Sequence, residues 1–194
     1  YEVGDNKSYL FLTPKIKFGQ FFTSHSDGTA LAGLGGGDIG IGFKRTSWSR
    51  IHASIEAMTG LTELQKGDLT STIEMPLVLG VSFAYGYSLG EDLFGFLGFG
   101  VGPTQMRAVV DYQDSTFESV DSSTGFYSRV FYNLQVPIGD SVMLLGGAEL
   151  ANMRANLGEI RQDNQSQTSL SNDVFNRNIS LTSLTLNLGL TLKI

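Results

Sequence analysis

Residues 183–194, SLTLNLGLTLKI, place Leu184, Leu186, Leu188, Leu190, Leu192 and Ile194 on every second position, with Thr185, Asn187, Gly189, Thr191 and Lys193 between them. A period of two means a β-strand with one apolar and one polar face. The same period returns along the chain, and helix periodicity is weak or absent. Residues 10–22 set Leu10, Leu12, Ile16 and Phe18 against Thr13, Lys15, Lys17 and Gly19. Residues 37–45 set Ile39, Ile41 and Phe43 against Asp38, Gly40, Gly42 and Lys44. Residues 51–61 set Ile51, Ala53, Ile55 and Ala57 against His52, Ser54, Glu56 and Met58. Residues 71–87 read as one row of Ile73, Met75, Leu77, Leu79, Val81, Phe83 and Tyr85, opposed by Glu74, Gly80, Ser82 and Gly86. In 93–112, Leu97, Phe99 and Val101 oppose Gly98, Gly100 and Gly102, and the parity slips near Pro103, which predicts a bulge there. Residues 125–136 and 142–161 complete a set of eight with the closing stretch.

The connections between these stretches alternate in length. Segments 23–36, 64–70, 113–124 and 162–178 are long and polar, whereas 47–50, 88–92 and 137–141 are tight. An up-and-down sheet with mobile loops at one end and turns at the other produces this order. Eight strands place both termini at the short-turn end. The expectation is a single eight-stranded antiparallel barrel over residues 1–194, with 1–8 as a lead-in.

Parity alone does not say which face points inward. With the apolar face inside, the chain is a soluble ligand-binding barrel; with it outside, a transmembrane one. The polar face is rich in Gly, Thr, Ser and Asn. Its charges nearly balance: Lys15, Lys17, Lys44 and Arg129 stand with Asp38, Glu56, Glu74 and Glu149. Charged residues make up 16% of the chain, against a usual ~25%, and glycine reaches 24 of 194, against a usual ~7%. A watered outer wall carries more Lys and Glu. Rows of five or six apolar side chains suit the ~9–11 tilted residues that cross hydrocarbon. Trp48, Tyr85, Tyr87 and Phe94 collect at the short-turn end, and Phe21, Phe22, Tyr112 and Tyr127 near the loops, as two aromatic girdles would. The apolar face is expected to touch membrane lipid.

Strand pattern, loop alternation and the amphipathic last strand together resemble the small bacterial outer-membrane β-barrels of the OmpA, OmpX and OmpW type, across the whole chain from about Leu10 to Ile194. The resemblance implies residence in the outer membrane of a Gram-negative-type bacterium and insertion by the outer-membrane assembly machinery, which reads an aromatic last residue; here that residue is Ile194. No leader is visible at Tyr1, so the expectation is a mature chain.

The function expected from this architecture is structural or surface-interacting, carried by the long loops, with no enzymatic activity. The lumen charges Lys15, Lys17, Asp38, Lys44, Glu56, Glu74, Arg129 and Glu149 are read as a plug, because buried charges must pair. The alternatives are a small pore or OmpW-like hydrophobic-solute channel, and a homo-oligomer that organises lipid through small wall residues Gly95, Gly146 and Ala148. His52, Ser54 and Glu56 have the residue types of a hydrolytic triad, but residues two apart on a strand lie ~6.6 Å apart, too far for direct contact of short side chains. Gly35, Gly37 and Gly40 fit G-x-G-x-x-G, yet a strand follows where a helix is needed; a loop-to-strand bend or room in the lumen explains them. Asp111, Asp114, Glu118, Asp163 and Asp173 have no cation-ligand spacing, and Asn6, Asn164 and Asn178 match a glycosylation pattern by composition. No cofactor or metal is expected. The absence of cysteine removes disulfides and thiolate sites, and a net charge of −6 without a Lys/Arg cluster argues against nucleic acid.

Overall fold

The computed structural model describes residues 8–23, 29–66, 69–112, 115–119, 123–157, 159–162, 165–167 and 178–194. The strands are β1 (Ser8–Thr23), β2 (Thr29–Lys44), β3 (Ser49–Lys66), β4 (Leu69–Ser88), β5 (Phe94–Tyr112), β6 (Ser115–Ser119), β7 (Ser123–Pro137), β8 (Val142–Asn156), β9 (Ile160–Gln162), β10 (Gln165–Gln167) and β11 (Asn178–Lys193). Eight of them form a closed antiparallel barrel in the order β1-β2-β3-β4-β5-β7-β8-β11, with β11 returning to β1. The closing seam runs from Phe11↔Lys193 to Thr23↔Leu181. The short strands β6, β9 and β10 continue the sheet beyond β5 at the loop end.

The staves are longer than the alternation alone suggested. β2 begins at Thr29, so most of the segment expected as a loop over 23–36 is strand, including the run of glycines. β3 and β4 extend to Lys66 and Leu69, leaving little of the expected 64–70 loop. Segments 113–124 and 162–178 contain β6 and β10, while β8 ends at Asn156.

Alternation places the apolar row outside on every stave. Leu10, Ile16, Ile39, Ile55, Leu97, Val130, Leu150 and Leu186 all face outward, Ile39 and Ile55 each at 58% exposure. A continuous exposed apolar belt of this kind is rare on a soluble monomer. It is the lipid-facing wall of a transmembrane barrel.

The parity slip is real but lies on another strand. Met58 pairs with Val78 and Gly60 with Met75, so two steps of β3 face three of β4; Glu74↔Arg107 and Leu77↔Gln105 repeat the mismatch toward β5. The extra residue is at Pro76, where an absent N–H loses no ladder bond. β5 keeps its parity through Pro103, which pairs with Phe126. The bulge turns Ile73 and Met75 into the lumen and Glu74 out of it.

The lumen is filled in three tiers. Toward the loops lies an apolar tier with Phe21, Met58, Met75, Met106, Met153 and Leu181, onto which Phe117 of β6 packs. The middle tier is charged. Toward the turns lie Ala84, Phe94, Phe96 and Phe131, with Asn133, Gln135, Asn187 and Thr191. Rings here rest on glycines of the next stave: a Cβ at Gly86 or Gly98 would collide with Phe96 or Phe131.

Leu186 lies mid-strand on the outer wall, cross-strand from Ala148 and Phe18. Leu186→Arg is expected to destabilise the barrel in lipid vesicles by about 2–4 kcal/mol, and Thr182→Arg, outward near the loop end, by about 0–1 kcal/mol. Equal effects in reversible unfolding measurements would contradict a lipid-facing wall.

Candidate functional site

At mid-height, β1 contributes Lys15 and Lys17, β2 Asp38, β3 Glu56, β7 Tyr127 and Arg129, and β8 Glu149, all on lumen-facing positions. Three cations converge on one carboxylate oxygen: Glu56 Oε2 lies 2.5 Å from Lys15 Nζ, 3.0 Å from Lys17 Nζ and 2.9 Å from Arg129 Nη1. Glu149 Oε2 takes Lys17 Nζ at 2.8 Å and Arg129 Nη1 at 2.8 Å. Lys15 Nζ also donates to Asp38 Oδ2 at 2.7 Å. Tyr127 sits between the two glutamates, within hydrogen-bond distance of Glu56 Oε1 (3.1 Å) and Glu149 Oε1 (3.0 Å). Arg129 Nη2 reaches across to Ser82 Oγ of β4 at 3.2 Å. Three positive and three negative groups thus neutralise one another, and except for Asp38 their side chains are essentially closed to solvent.

The cluster joins Lys15, Lys17, Asp38, Glu56, Arg129 and Glu149. Two residues expected in it stand elsewhere. Glu74 is turned to the outer surface by the Pro76 bulge and lies 3.9 Å from Arg107, which also pairs with Glu118 at 3.0 Å. Lys44 is exposed at the turn end of β2, opposite Arg50. Tyr127 and Ser82 join a network that charge counting alone passed over; both sit on the polar rows of their strands, and that was the available signal.

The aromatic girdles also need correction. Trp48 and Tyr85 are exposed and Tyr87 half-exposed, with the Tyr87 hydroxyl donating to Tyr132 at 3.1 Å. Phe94 instead points inward, under the Arg50 guanidinium at 3.7 Å, because its even position shares parity with Phe96 and Gly98. At the loop end Phe22 faces out, while Phe21 and Tyr127 are buried in the lumen. Among the small wall residues, Gly95 has no free space, since a Cβ would meet the Tyr132 hydroxyl, Tyr87 and Leu89; Gly146 leaves an open dent beside Leu188, and Ala148 is exposed next to it.

His52, Ser54 and Glu56 engage separate partners. His52 Nε2 contacts the Tyr9 hydroxyl at 2.6 Å and its ring stacks on Phe96; Ser54 Oγ lies 2.9 Å from Ser82 Oγ; Glu56 belongs to the charge cluster. They do not converge on one point where a substrate could react. Gly35, Gly37 and Gly40 are inside β2 rather than at a phosphate-binding turn. Among the described residues no group of His, Asp or Glu is arranged to hold a metal. Asp111 accepts from Thr116 and Glu118 binds Arg107, while Asn178 bonds Asn156. Asp114, Asp163, Asp173, Asn6 and Asn164 lie outside the described residues.

Glu56→Gln would leave Lys15, Lys17 and Arg129 facing two carboxylates in a closed lumen. It is expected to lower stability by about 3–5 kcal/mol, read as a shifted urea midpoint in detergent micelles. Glu118→Gln, on the half-exposed outer pair, should change it by less than about 1 kcal/mol.

No family model and no curated protein sequence matches the chain. Solved structures do. Neisserial surface protein A is similar with a TM-score of 0.50 at 15% identity, covering 95% of this chain and 97% of that one. The outer membrane enzyme PagL is similar with a TM-score of 0.48 at 17% identity, covering 91% and 97%. A major outer membrane protein from Thermus thermophilus has a TM-score of 0.44 at 15% identity, covering 95% and 99%. Closed barrel, apolar outer belt and the likeness to Neisserial surface protein A agree: the chain has the fold of the small bacterial outer-membrane β-barrels, with a wall made for that membrane.

Proposed function

We propose that the protein is an integral outer-membrane barrel with a sealed lumen and a structural, surface-contacting role carried at the loop end. The observation that carries this reading is the charge cluster. It crosses the lumen from β1, β2 and β3 to β7 and β8 and sets each of its cations against at least one carboxylate. The apolar tier above it is a second seal in series, and water avoids a narrow passage lined by methionine and phenylalanine. Above the barrel wall, β6, β9 and β10 extend the sheet from β5 and offer a surface for contact outside the cell.

Single-channel recording in planar bilayers tests the seal. The wild-type barrel should give no conductance steps. Arg129→Ala with Glu149→Ala opens one tier and leaves the other, so steps should appear only when Met75→Ala and Met106→Ala are added, with heat-modifiable gel migration confirming the fold. Regular steps from the wild type would sink the sealed-lumen reading in favour of a pore.

A further inference from the structure

The two ends of the lumen differ, and the short-turn end carries charge that nothing described neutralises. Lys44 and Arg50 are direct cross-strand partners on the lumen face of β2 and β3. Like charges placed opposite each other in a sheet are destabilising. Lys193 enters the same mouth from β11, with its Nζ 5.6 Å from the Tyr9 ring, and both Arg50 and Lys44 act electrostatically on it. Among the described residues no carboxylate lies within ion-pair distance of these three cations; the ion pairs present join Lys15, Lys17, Arg107, Arg129 and Arg161 to their acids. Glu91, Asp92 and Asp140 are exposed on the turns at this end and form none.

Arg50 adds a second observation. Its guanidinium lies on the Phe94 ring, and its Nε and Nη1 atoms are shielded from solvent without an acceptor. Leaving charged donors desolvated and unpaired is costly. The floor of the mouth is aromatic, with Phe11, Phe96 and the hydrogen-bonded His52–Tyr9 pair, and the Tyr9 hydroxyl is also a partner of Arg50. A cationic recess with low-dielectric walls focuses its field on small anions. The chain as a whole, these three cations included, carries net −6 and repels them.

We propose that the short-turn mouth of the barrel is a binding site for a small oxyanion, a phosphate or carboxylate group, held by Arg50, Lys44 and Lys193. Arginine supplies planar directed donors and the lysines supply point charge, the combination suited to an oxygen-bearing anion. The anion removes the like-charge repulsion between β2 and β3 and gives the Arg50 donors an acceptor once the side chain turns from Phe94. Inward of the mouth, between the turn-end and charged tiers, lies a cavity of about 30 Å³ lined by Lys15, Asp38, His52, Phe96, Arg129 and Gln135, with room for a water or two and too little for an oxyanion.

Isothermal titration calorimetry of the refolded chain in an uncharged glucoside detergent, with inorganic phosphate and with succinate as separate probes, tests this. Saturable binding of one or both is expected, and the tighter probe identifies a phosphate or a carboxylate ligand. Arg50→Gln should weaken it about tenfold or more, and Lys44→Gln or Lys193→Gln should weaken it by less. No saturable binding of either probe to the wild type, or wild-type affinity in folded Arg50→Gln, overturns the site. If Arg50→Gln fails to migrate as a folded barrel, the Lys44→Gln/Lys193→Gln pair replaces it, and unchanged binding there overturns the site equally.

Discussion

Hydrocarbon offers no partner to a backbone N–H or C=O, so a sheet in a bilayer has to close on itself. Here closure rests on the seam between β1 and β11, from Phe11↔Lys193 to Thr23↔Leu181. The rest follows in order. Closure with eight staves sets a lumen only wide enough for side chains. That width makes lumen positions compete for space, so large rings are matched to glycines on the next stave, as Phe96 is to Gly86 and Phe131 to Gly98. The high glycine content, which in a soluble chain would suggest loops, is here a consequence of narrowness.

The narrow lumen also explains the form of the charge cluster. Six ionised groups in a space closed to water are tolerable only if each touches opposite charge more than once, and Glu56, Glu149, Lys17 and Arg129 all do. Such a cluster adds little net stability over an apolar filling. Its consequence is specificity. It draws on five staves, and shifting any of them by one residue would send a lysine, an arginine or a glutamate into lipid. The ion pairs therefore penalise every wrong register around most of the barrel, while the leucine rows outside tolerate exchange of one apolar residue for another.

Strand number, sheet closure and the outward direction of the apolar rows were legible because they depend on period and count, which a sequence shows directly. The inner cluster was legible for Lys15, Lys17, Asp38, Glu56, Arg129 and Glu149 because their strands run without interruption through mid-height. Failures fall where one residue changes the parity. Both Pro76 and Pro103 sit in long strands, and either could mark a bulge; only pairing with neighbours shows that β4 holds the extra residue. That single residue moves Glu74 out and Ile73 and Met75 in, which hid the apolar tier from a reading that assumed a polar lumen throughout. Phe94 and Phe21 lie near the strand ends, where girdle residues sit, but side-chain direction is set by parity, not height. Small residues disguise 29–36 as a loop, since glycine and alanine carry no period.

The distribution of charge along the lumen then separates a conduit from a receptacle. A conduit needs favourable, weak sites from end to end. This lumen has cations without described partners at the turn end, a neutralised and closed middle, and an apolar tier beneath the loops. An anion drawn in by Lys44, Arg50 and Lys193 meets first a charged tier whose cations are already paired and then an apolar tier, so under the proposed seal entry and exit share one door. On the proposed sealed lumen, a barrel built this way would hold an anion at its inner face without leaking it across the membrane, with the charged tier as the floor of the site.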